Sequence, residues 1–349
     1  MVNYIDTSAL KHIIMSACAV MLCACSSENG VDDVPVTPPT PPEPVEQLPI
    51  RISSMPEKRA LDNAFETGDR IGVFVVNRNA DGSAVGLKAQ GNYIDNSMYT
   101  FHGTWTSAVQ EYWKDDITHA DFYMYYPYTA TIASVEALPW SVKTDQSAGA
   151  DYKASELLIG KTLDVAPSEE AVNIGAKHMM AQVVITLAAG KGFTAASLAK
   201  ANVSVRINDV KTQAAANIAS GIVTATGDKS YVIPMKDNDG YKALVVPQTL
   251  DDGYLITVTV DGTDYHLPKD PKLKALEQGH SYQLTVTLGK TNSGINASIV
   301  KWQDDGIDYG GVAEPEYKKD KYEKDKQEHH LLYHHHSGGN AQQLQRQPL

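Results

Sequence analysis

The chain has 349 residues, with 30 lysines and arginines against 42 aspartates and glutamates, and its formal net charge is -12. This acidic balance argues against nucleic-acid binding, which requires a basic surface. The length is enough for about two domains. All three cysteines, Cys18, Cys23 and Cys25, lie near the start. The remainder therefore has no thiols to form disulfides and must be held together by its hydrophobic core.

The chain begins like an exported lipoprotein. A basic start precedes an apolar run over 13–22, which is shorter than the roughly 20 residues that a bilayer span needs. The run closes with Leu22–Cys25, a lipobox-like tetrapeptide that ends in cysteine. The pattern predicts a lipoprotein signal peptide over 1–24 and lipidation of Cys25, because several acyl chains anchor a protein stably to a membrane. The alternative is an ordinary signal peptide with chance cysteines.

A proline-rich segment follows the predicted lipidation site. Its prolines remove backbone hydrogen-bond donors, and they are Pro35, Pro38, Pro39, Pro41, Pro42, Pro44 and Pro49. Such a density favours an extended polyproline-II conformation with a rise of about 3.1 Å per residue. We predict a tether over 25–49 that holds the folded part away from the lipid. A proline-motif ligand is the less favoured interpretation.

After residue 49 the sequence has the two-residue period of β-strands. Apolar side chains alternate with polar ones at Val203, Val205 and Ile207, as in a half-buried strand. The same alternation recurs over 284–288. Further apolar runs occur at 71–76, 122–126, 182–187, 231–233 and 243–246. Short strands at this spacing predict an all-β chain built from sandwiches.

The most specific local prediction is a β-hairpin. Two apolar stretches, 254–260 and 263–267, flank Asp261 and Gly262. An Asp-Gly pair tolerates the positive φ angles of a type I′ turn. The only good helical stretch is the alanine-rich 194–201, so we expect little helix.

Several landmarks occur in a fixed order along the chain. Residues 65–75 read FETGDRIGVFV, and they are followed by YYPY at 125–128 and ELLIG at 156–160. HMMAQV at 178–183 comes next, and YQLTVTL with a later tryptophan, Trp302, closes the series. This ordered set resembles the fimbrillin family, the FimA/Mfa-like fimbrial proteins of Bacteroidales. The resemblance covers about Ile50 to Trp302.

The resemblance implies an all-β fold of two tandem transthyretin-like β-sandwich domains. We place them at 50–174 and 175–303, because the second domain of the family opens with the strand corresponding to 178–187. It also implies a lipid-anchored precursor at the outer membrane and cell surface, without enzymatic activity, cofactor or metal. The partners that it implies are other fimbrial subunits, bound by strand exchange, the outer membrane, and host or bacterial surface ligands.

The resemblance further implies a processing site. In related pilins a trypsin-like protease that prefers arginine removes an amino-terminal strand, and a strand of the next subunit replaces it. Arg59-Ala60 is the favoured bond, because it lies in a polar stretch before the first recognisable strand. Arg51-Ile52 is less favoured. The alternative is that both arginines are solvated and not processed.

The carboxy-terminal end is less like the family. Residues 295–302 alternate as a strand that either donates to a neighbour or closes its own sandwich. The segment 304–349 contains a charged run and a His-rich end, and we predict that it is disordered. This ending departs from the family and puts carboxy-terminal strand donation in doubt.

Four groups of residues could be mistaken for metal or catalytic sites. The histidines within 329–336 lack the glutamate of a His-Glu-x-x-His motif and fit a flexible tail better. Residues 237–239 start like a calcium loop, but no glutamate closes it, so we predict a polar turn. The paired aspartates at 115–116 and 251–252 lie beside turn residues and do not suit acid/base chemistry.

A second function class stays open. Trp105, Trp113, Trp140 and the 18 tyrosines could supply an aromatic platform for a surface lipoprotein that binds carbohydrate and does not polymerise. We favour a place for them in the core, because aromatic residues on alternating strands commonly fill sandwich cores.

Overall fold

The structure, a computed structural model, describes residues 47–54, 64–238 and 240–290, and the backbone alone of 311–315. Several predictions lie outside these ranges: the signal peptide 1–24, Cys25, the Arg59-Ala60 bond, the candidate donor strand 295–302 and the His-rich end 329–349. Within the described ranges, no helix has the length and apolar character needed to cross a membrane.

The described residues are mostly β-structure. In chain order the strands are β1 Ile52–Ser53, β2 Arg70–Asn77, β3 Ile94–Phe101, β4 Trp105–Ser107, β5 Ala120–Tyr126, β6 Leu138–Ser141, β7 Leu158–Val165, β8 Val172–Asn173, β9 Ala176–His178, β10 Ala181–Ala189, β11 Val203–Asn217, β12 Ile222–Val232, β13 Met235–Asp237, β14 Gly240–Val245, β15 Gln248–Thr249, β16 Tyr254–Val260, β17 Thr263–Pro268, β18 Ala275–Leu276, β19 Ser281–Leu288 and β20 Gly311–Pro315. The helices are α1 Gly149–Ala154 and α2 Ala195–Lys200.

The first half of the chain forms an antiparallel sheet with the strand order β4-β3-β2-β5-β7-β9. Its central strands are covered on both faces, which is why β2 and β5 are buried along nearly their whole length rather than alternately. Along β2, Val73 belongs to one hydrophobic cluster and Phe74 to another. The first cluster also contains Ile50 and Ile52, and we call it the amino-terminal core.

The second half forms a larger sheet with the order β12-β11-β16-β17-β20-β19-β10-β14-β13. Strand β6 from the first half pairs with β11, so the halves share a sheet as well as a core. Most neighbours are antiparallel, but β19 runs parallel to both β10 and β20. Two small sheets, β1-β8 and β15-β18, complete the described β-structure.

Local sequence signals are confirmed. The predicted hairpin is β16-β17, and its turn residues Asp261 and Gly262 have φ angles of 49° and 83°. The predicted helix is α2, which begins after Thr194, whose hydroxyl oxygen accepts a hydrogen bond from the Ser197 backbone N–H. The all-β prediction is therefore confirmed at the level of secondary structure. The tandem transthyretin-like arrangement stays a prediction.

The chain passes from the first sheet to the second between His178 and Ala181, and the domain boundary that we predicted near Gly175 stays a prediction. Strand β9 still pairs with β7 of the first sheet, with Gly160 opposite Ala176, and β10 opens the second sheet at Ala181. The segment predicted as one strand over 178–187 is thus split between two sheets. The apolar residues Met179 and Met180 between them are fully buried, so hydropathy alone does not show the break.

Two predicted irregular segments contain ordered residues. The predicted disorder over 304–349 is wrong for Gly311–Pro315, which form β20 between β17 and β19. Strand pairing uses backbone groups, so a charged composition does not prevent it. The predicted tether over 25–49 ends too late, because Pro49 bridges Tyr112 and Leu48 packs against the amino-terminal core.

Candidate functional site

Residues 47–54, which we call the amino-terminal segment, lie in a groove along the first sheet. Ile50 and Ile52 are 3% and 5% exposed and belong to the amino-terminal core. Arg51 between them is exposed, so the segment has the alternation of a half-buried strand. The segment therefore covers part of the amino-terminal core with one face and presents its other face to solvent.

Backbone hydrogen bonds hold the amino-terminal segment along both edges. Residues 111–113 lie on one side and β8 with Ile174 on the other. Four bonds connect the segment to these neighbours: Ile50 N–H to Glu111 O (2.8 Å), Trp113 N–H to Leu48 O (2.9 Å), Val172 N–H to Arg51 O (2.8 Å) and Ile174 N–H to Ser53 O (2.8 Å). Because these groups belong to the backbone, any strand of suitable shape could make them.

Ser54 fixes the end of the segment. Its side chain is buried, and its hydroxyl donates to the carbonyl oxygen of Ile174 at 2.7 Å. The indole Nε1 of Trp105 donates to the Ser54 carbonyl oxygen at 3.2 Å. Sequence analysis missed both contacts, since a serine next to an apolar alternation carries no signal of its own.

An aromatic cluster closes the same end of the groove. Phe65 lies 4.8 Å from Trp105 and 5.6 Å from Tyr126 between ring centroids, and both pairs have edge-on geometry. Phe101 lies 5.1 Å from Trp105. Phe65 begins the first sequence landmark, so this landmark contributes to the wall of the groove.

The two candidate cleavage bonds have different settings. The Arg51-Ile52 bond lies inside the paired segment: the Arg51 carbonyl accepts from Val172, and its guanidinium donates to the carbonyl oxygen of Glu169 at 2.8 Å. A protease would have to pull this bond out of the groove before cutting it. Arg59 and Ala60 lie outside the described residues, in the connection between Ser54 and Ala64.

A cavity of about 420 Å³ lies next to Phe65, and its charged groups are paired with one another. Lys153 Nζ lies 2.6 Å from Glu66 Oε2 and 3.0 Å from Asp69 Oδ1. His178 Nδ1 lies 2.7 Å from Glu156 Oε2. Glu66 and Asp69 belong to the first landmark, and Glu156 and His178 belong to two later ones, so three landmarks contribute charged residues to the lining of this cavity.

Four of the aspartates weighed as chemical groups have structural partners. Hydrogen bonds from the Thr118 hydroxyl and backbone hold the pKa of Asp115 below its usual range. Lys229 does the same for the pKa of Asp251, and Lys269 Nζ lies 3.0 Å from Asp252 Oδ1. Asp237 pairs with Lys242 at 3.1 Å. In the ranges that the structure describes, no group of three or more histidines, cysteines and acids is placed to hold a metal ion.

The tryptophans do not form an exposed platform. Trp105 and Trp113 are 7% and 3% exposed and lie in the amino-terminal core. Trp140 is half-buried against the other core, and its Nε1 donates to the Ser155 carbonyl oxygen at 3.3 Å. The hypothesis of a carbohydrate platform made of these three residues is therefore wrong.

Comparisons with known proteins agree on one family. The sequence model described as fimbrillin-like matches residues 59–302. A candidate fimbrium subunit of Bacteroides uniformis, Fim1C, is 26% identical over 257 residues, which cover 70% of this chain and 80% of that protein.

Two solved structures have a similar fold. A candidate cell adhesion protein from Bacteroides uniformis is 23% identical with a TM-score of 0.55, and the match covers 69% of this chain and 93% of that one. A candidate cell adhesion protein from Bacteroides ovatus is 18% identical with a TM-score of 0.54, and the match covers 69% and 92% of the two chains.

Proposed function

Since this chain belongs to the fimbrillin-like family, a non-enzymatic family of structural and adhesion proteins, we propose that it is a lipidated subunit of a cell-surface fimbrium. We propose that it assembles with other fimbrial subunits by β-strand exchange and supports adhesion. The observation that carries the proposal is the amino-terminal segment, 47–54, which is buried in a groove, paired along both edges and connected directly to the stretch containing Arg59.

The contacts of the segment suit replacement by another strand. Four backbone hydrogen bonds contribute about 0.5–1.5 kcal/mol each, and Ile50 and Ile52 contribute about 1.5–3 kcal/mol each when fully buried. A donated strand with apolar residues two positions apart would restore both kinds of contact. Replacing the segment by a donated strand therefore changes the free energy of these contacts little. The segment must first be freed from its own chain before the exchange can occur.

Cleavage at Arg59-Ala60 supplies that freedom. After the cut the segment is held by noncovalent contacts alone, and its departure gains translational and rotational freedom that the intact chain denies it. The paired and buried setting of Arg51-Ile52 favours Arg59 as the first site of attack. The donor strand would come from the carboxy-terminal part of a neighbour, where 295–302 is the sequence candidate. Donation by β20 would require it to leave β17 and β19.

Limited treatment of the mature chain with an arginine-specific protease tests this mechanism, because trypsin would also cut after the adjacent Lys58. We expect a fragment that begins at Ala60 and forms ladders on a gel run without boiling. Arg59→Ala should stay monomeric, whereas the matched variant Arg51→Ala should polymerise like the wild type. Mass spectrometry of the new amino terminus identifies the cut. If Arg51→Ala, Arg59→Ala polymerises as readily as the wild type after the same treatment, protease-triggered exchange is wrong for this protein.

The lipid anchor has its own test. Cys25→Ala should abolish labelling by a radioactive fatty acid and should release the protein from the outer-membrane fraction, because the acylated thiol is lost. Cys23→Ala is the control and should keep both the label and the membrane association. Label that persists on Cys25→Ala would show that the anchor is elsewhere.

A further inference from the structure

The cavity of about 420 Å³ beside Phe65 is much larger than a packing defect, since one water molecule takes about 30 Å³ in the liquid. It lies where the two halves of the chain meet. Leu158 of β7 and His178 of β9 line it from the first sheet. Met235 of β13 and Lys242 of β14 line it from the second. A group bound in the cavity would therefore contact both sheets.

Glu156 gives the cavity lining an unsatisfied hydrogen-bond acceptor. One of its carboxylate oxygens, Oε2, lies 2.7 Å from His178 Nδ1. The other oxygen, Oε1, is buried and has no hydrogen-bond partner in the part of the chain that the structure describes. A buried carboxylate oxygen without a donor is costly, because it has lost its hydration and gained no contact in return. The other acids of the lining, Glu66 and Asp69, both pair with Lys153, so Glu156 is the acid that a further positive donor would satisfy.

The chain itself supplies a suitable donor within reach. Ala64 lines the cavity, and Ala60 precedes it by four residues, which span at most about 14 Å when extended. A cut after Arg59 creates an α-ammonium group on Ala60, with a full positive charge and several N–H donors. Ala60 is small, and Leu61 after it is apolar like the Phe65 side chain of the lining. The new chain end therefore matches the cavity in reach, charge and side-chain character.

We propose that the amino terminus created by this cut folds back into the cavity and that its α-ammonium group binds Glu156 Oε1. The inference rests on the cut at Arg59-Ala60 proposed above and gives that cut a second effect. The cut requires an accessible Arg59, so the Arg59 side chain does not compete for the cavity. Because Glu156 is already buried, the new ion pair adds no desolvation cost on the side of the acid.

The ion pair links proteolysis to the stability of the remaining fold. It forms where both sheets meet, and a charge-assisted hydrogen bond is among the stronger polar contacts of a protein. The cut frees the amino-terminal segment and at the same time fastens the new chain end between the sheets. The subunit is thus braced at the stage when its groove is open.

An engineered cut makes the test independent of the natural protease. Pro56→Ile and Lys58→Gly in the mature chain create the sequence Ile-Glu-Gly-Arg over 56–59, which factor Xa cuts to give an amino terminus at Ala60. The probe is an amine-acetylating reagent at pH 8, applied to the monomer before and after the cut. The tryptic peptide 60–70 contains no lysine, so mass spectrometry of its acetylation reports the α-amino group.

A free α-amino group has a pKa of about 7.7–8.0 and reacts readily at pH 8, whereas a carboxylate partner keeps the group protonated and slow to react. In the cut protein we expect Ala60 to react at least about tenfold more slowly than it does after the further change Glu156→Gln. Glu66→Gln is the matched control. Glu66 lines the same cavity but is already paired with Lys153, so this variant should leave Ala60 protected.

Melting curves separate the new ion pair from the contact between Glu156 and His178. Glu156→Gln should lower the melting temperature of the cut form by several degrees more than that of the uncut form, because the uncut form has no α-ammonium group at Ala60. The proposal is overturned if Glu156→Gln lowers both melting temperatures equally, if it leaves the acetylation rate of Ala60 unchanged, or if Glu66→Gln exposes Ala60 as much. A protected Ala60 in a cut protein that forms no ladders would count against strand exchange alone.

Discussion

Ile52→Asp is expected to release the amino-terminal segment without any proteolytic cut. Ile52 is 5% exposed, so the substitution removes about 1.5–3 kcal/mol of burial and places a carboxylate where it cannot be hydrated. If the segment detaches, the carboxylate becomes hydrated and its desolvation cost disappears. The loss in unfolding free energy is therefore limited to what the segment contributes, and we expect at least about 5 kcal/mol, the low end of the contact energies given above for the segment, read from denaturant curves.

Ile52→Asp should also change how the subunits assemble. A groove emptied by Ile52→Asp should accept a donated strand, so ladders should form without protease. The Arg51-Ile52 region should also become sensitive to the protease, because its pairing with Val172 is lost. Arg51→Ala is the matched control. The Arg51 side chain, next to Ile52, is exposed, so this variant should keep the segment in place. A monomeric Ile52→Asp chain with wild-type stability would argue against a releasable segment.

Gly72→Ala is expected to destabilise the first sheet severely. A Cβ at this position would lie 2.2 Å from Tyr125 Cε1 and 2.6 Å from Asn96 Oδ1. The ring cannot easily move, because the Tyr125 hydroxyl donates to Asn96 Oδ1 at 2.7 Å and accepts from the Thr129 N–H at 3.2 Å. Overpacking of a closed core costs about 1–3 kcal/mol, and loss of these hydrogen bonds adds to it.

A matched glycine shows whether the effect is steric. Gly175→Ala introduces the same methyl group where no atom lies within 4 Å, and its φ is outside the left-handed region. We expect its melting temperature to match the wild type, while that of Gly72→Ala falls by many degrees. Equal melting temperatures for the two variants would mean that the ring of Tyr125 yields to the methyl group. Close packing against Tyr125 therefore explains why position 72 of the first landmark is a glycine.

Sequence reasoning succeeded where structure is local. Asp261 and Gly262 determine their turn within four residues, and the alternation around them determines which side chains enter the core. It failed where pairing is remote. Strand β6 joins β11 some 70 residues later, and β20 inserts between β17 and β19, through backbone groups that every sequence possesses. The composition of a strand does not show with which sheet edge the strand will pair.

The groove was predictable in part. Ile50 and Ile52 lie two positions apart before the first landmark, a spacing that suits a half-buried strand, and both are buried. The buried hydroxyl of Ser54 was not predictable, since its partner Ile174 is 120 residues away. The burial of Trp105 and Trp113 agrees with the place in the core that we favoured for them over a carbohydrate platform.

Two tryptophans lie beside the amino-terminal segment, so their fluorescence reports whether the segment occupies the groove. Trp105 donates to the Ser54 carbonyl through its indole, and Trp113 is bonded to Leu48 through its backbone. Departure of the segment removes the hydrogen-bond acceptor of the Trp105 indole and the backbone partner of Trp113, and water around an excited indole shifts its emission to longer wavelength. A strand that refills the groove shifts the emission back. Opening of the groove and its filling by a strand therefore shift the emission wavelength in opposite directions. The rate of each step can be measured in unlabelled protein.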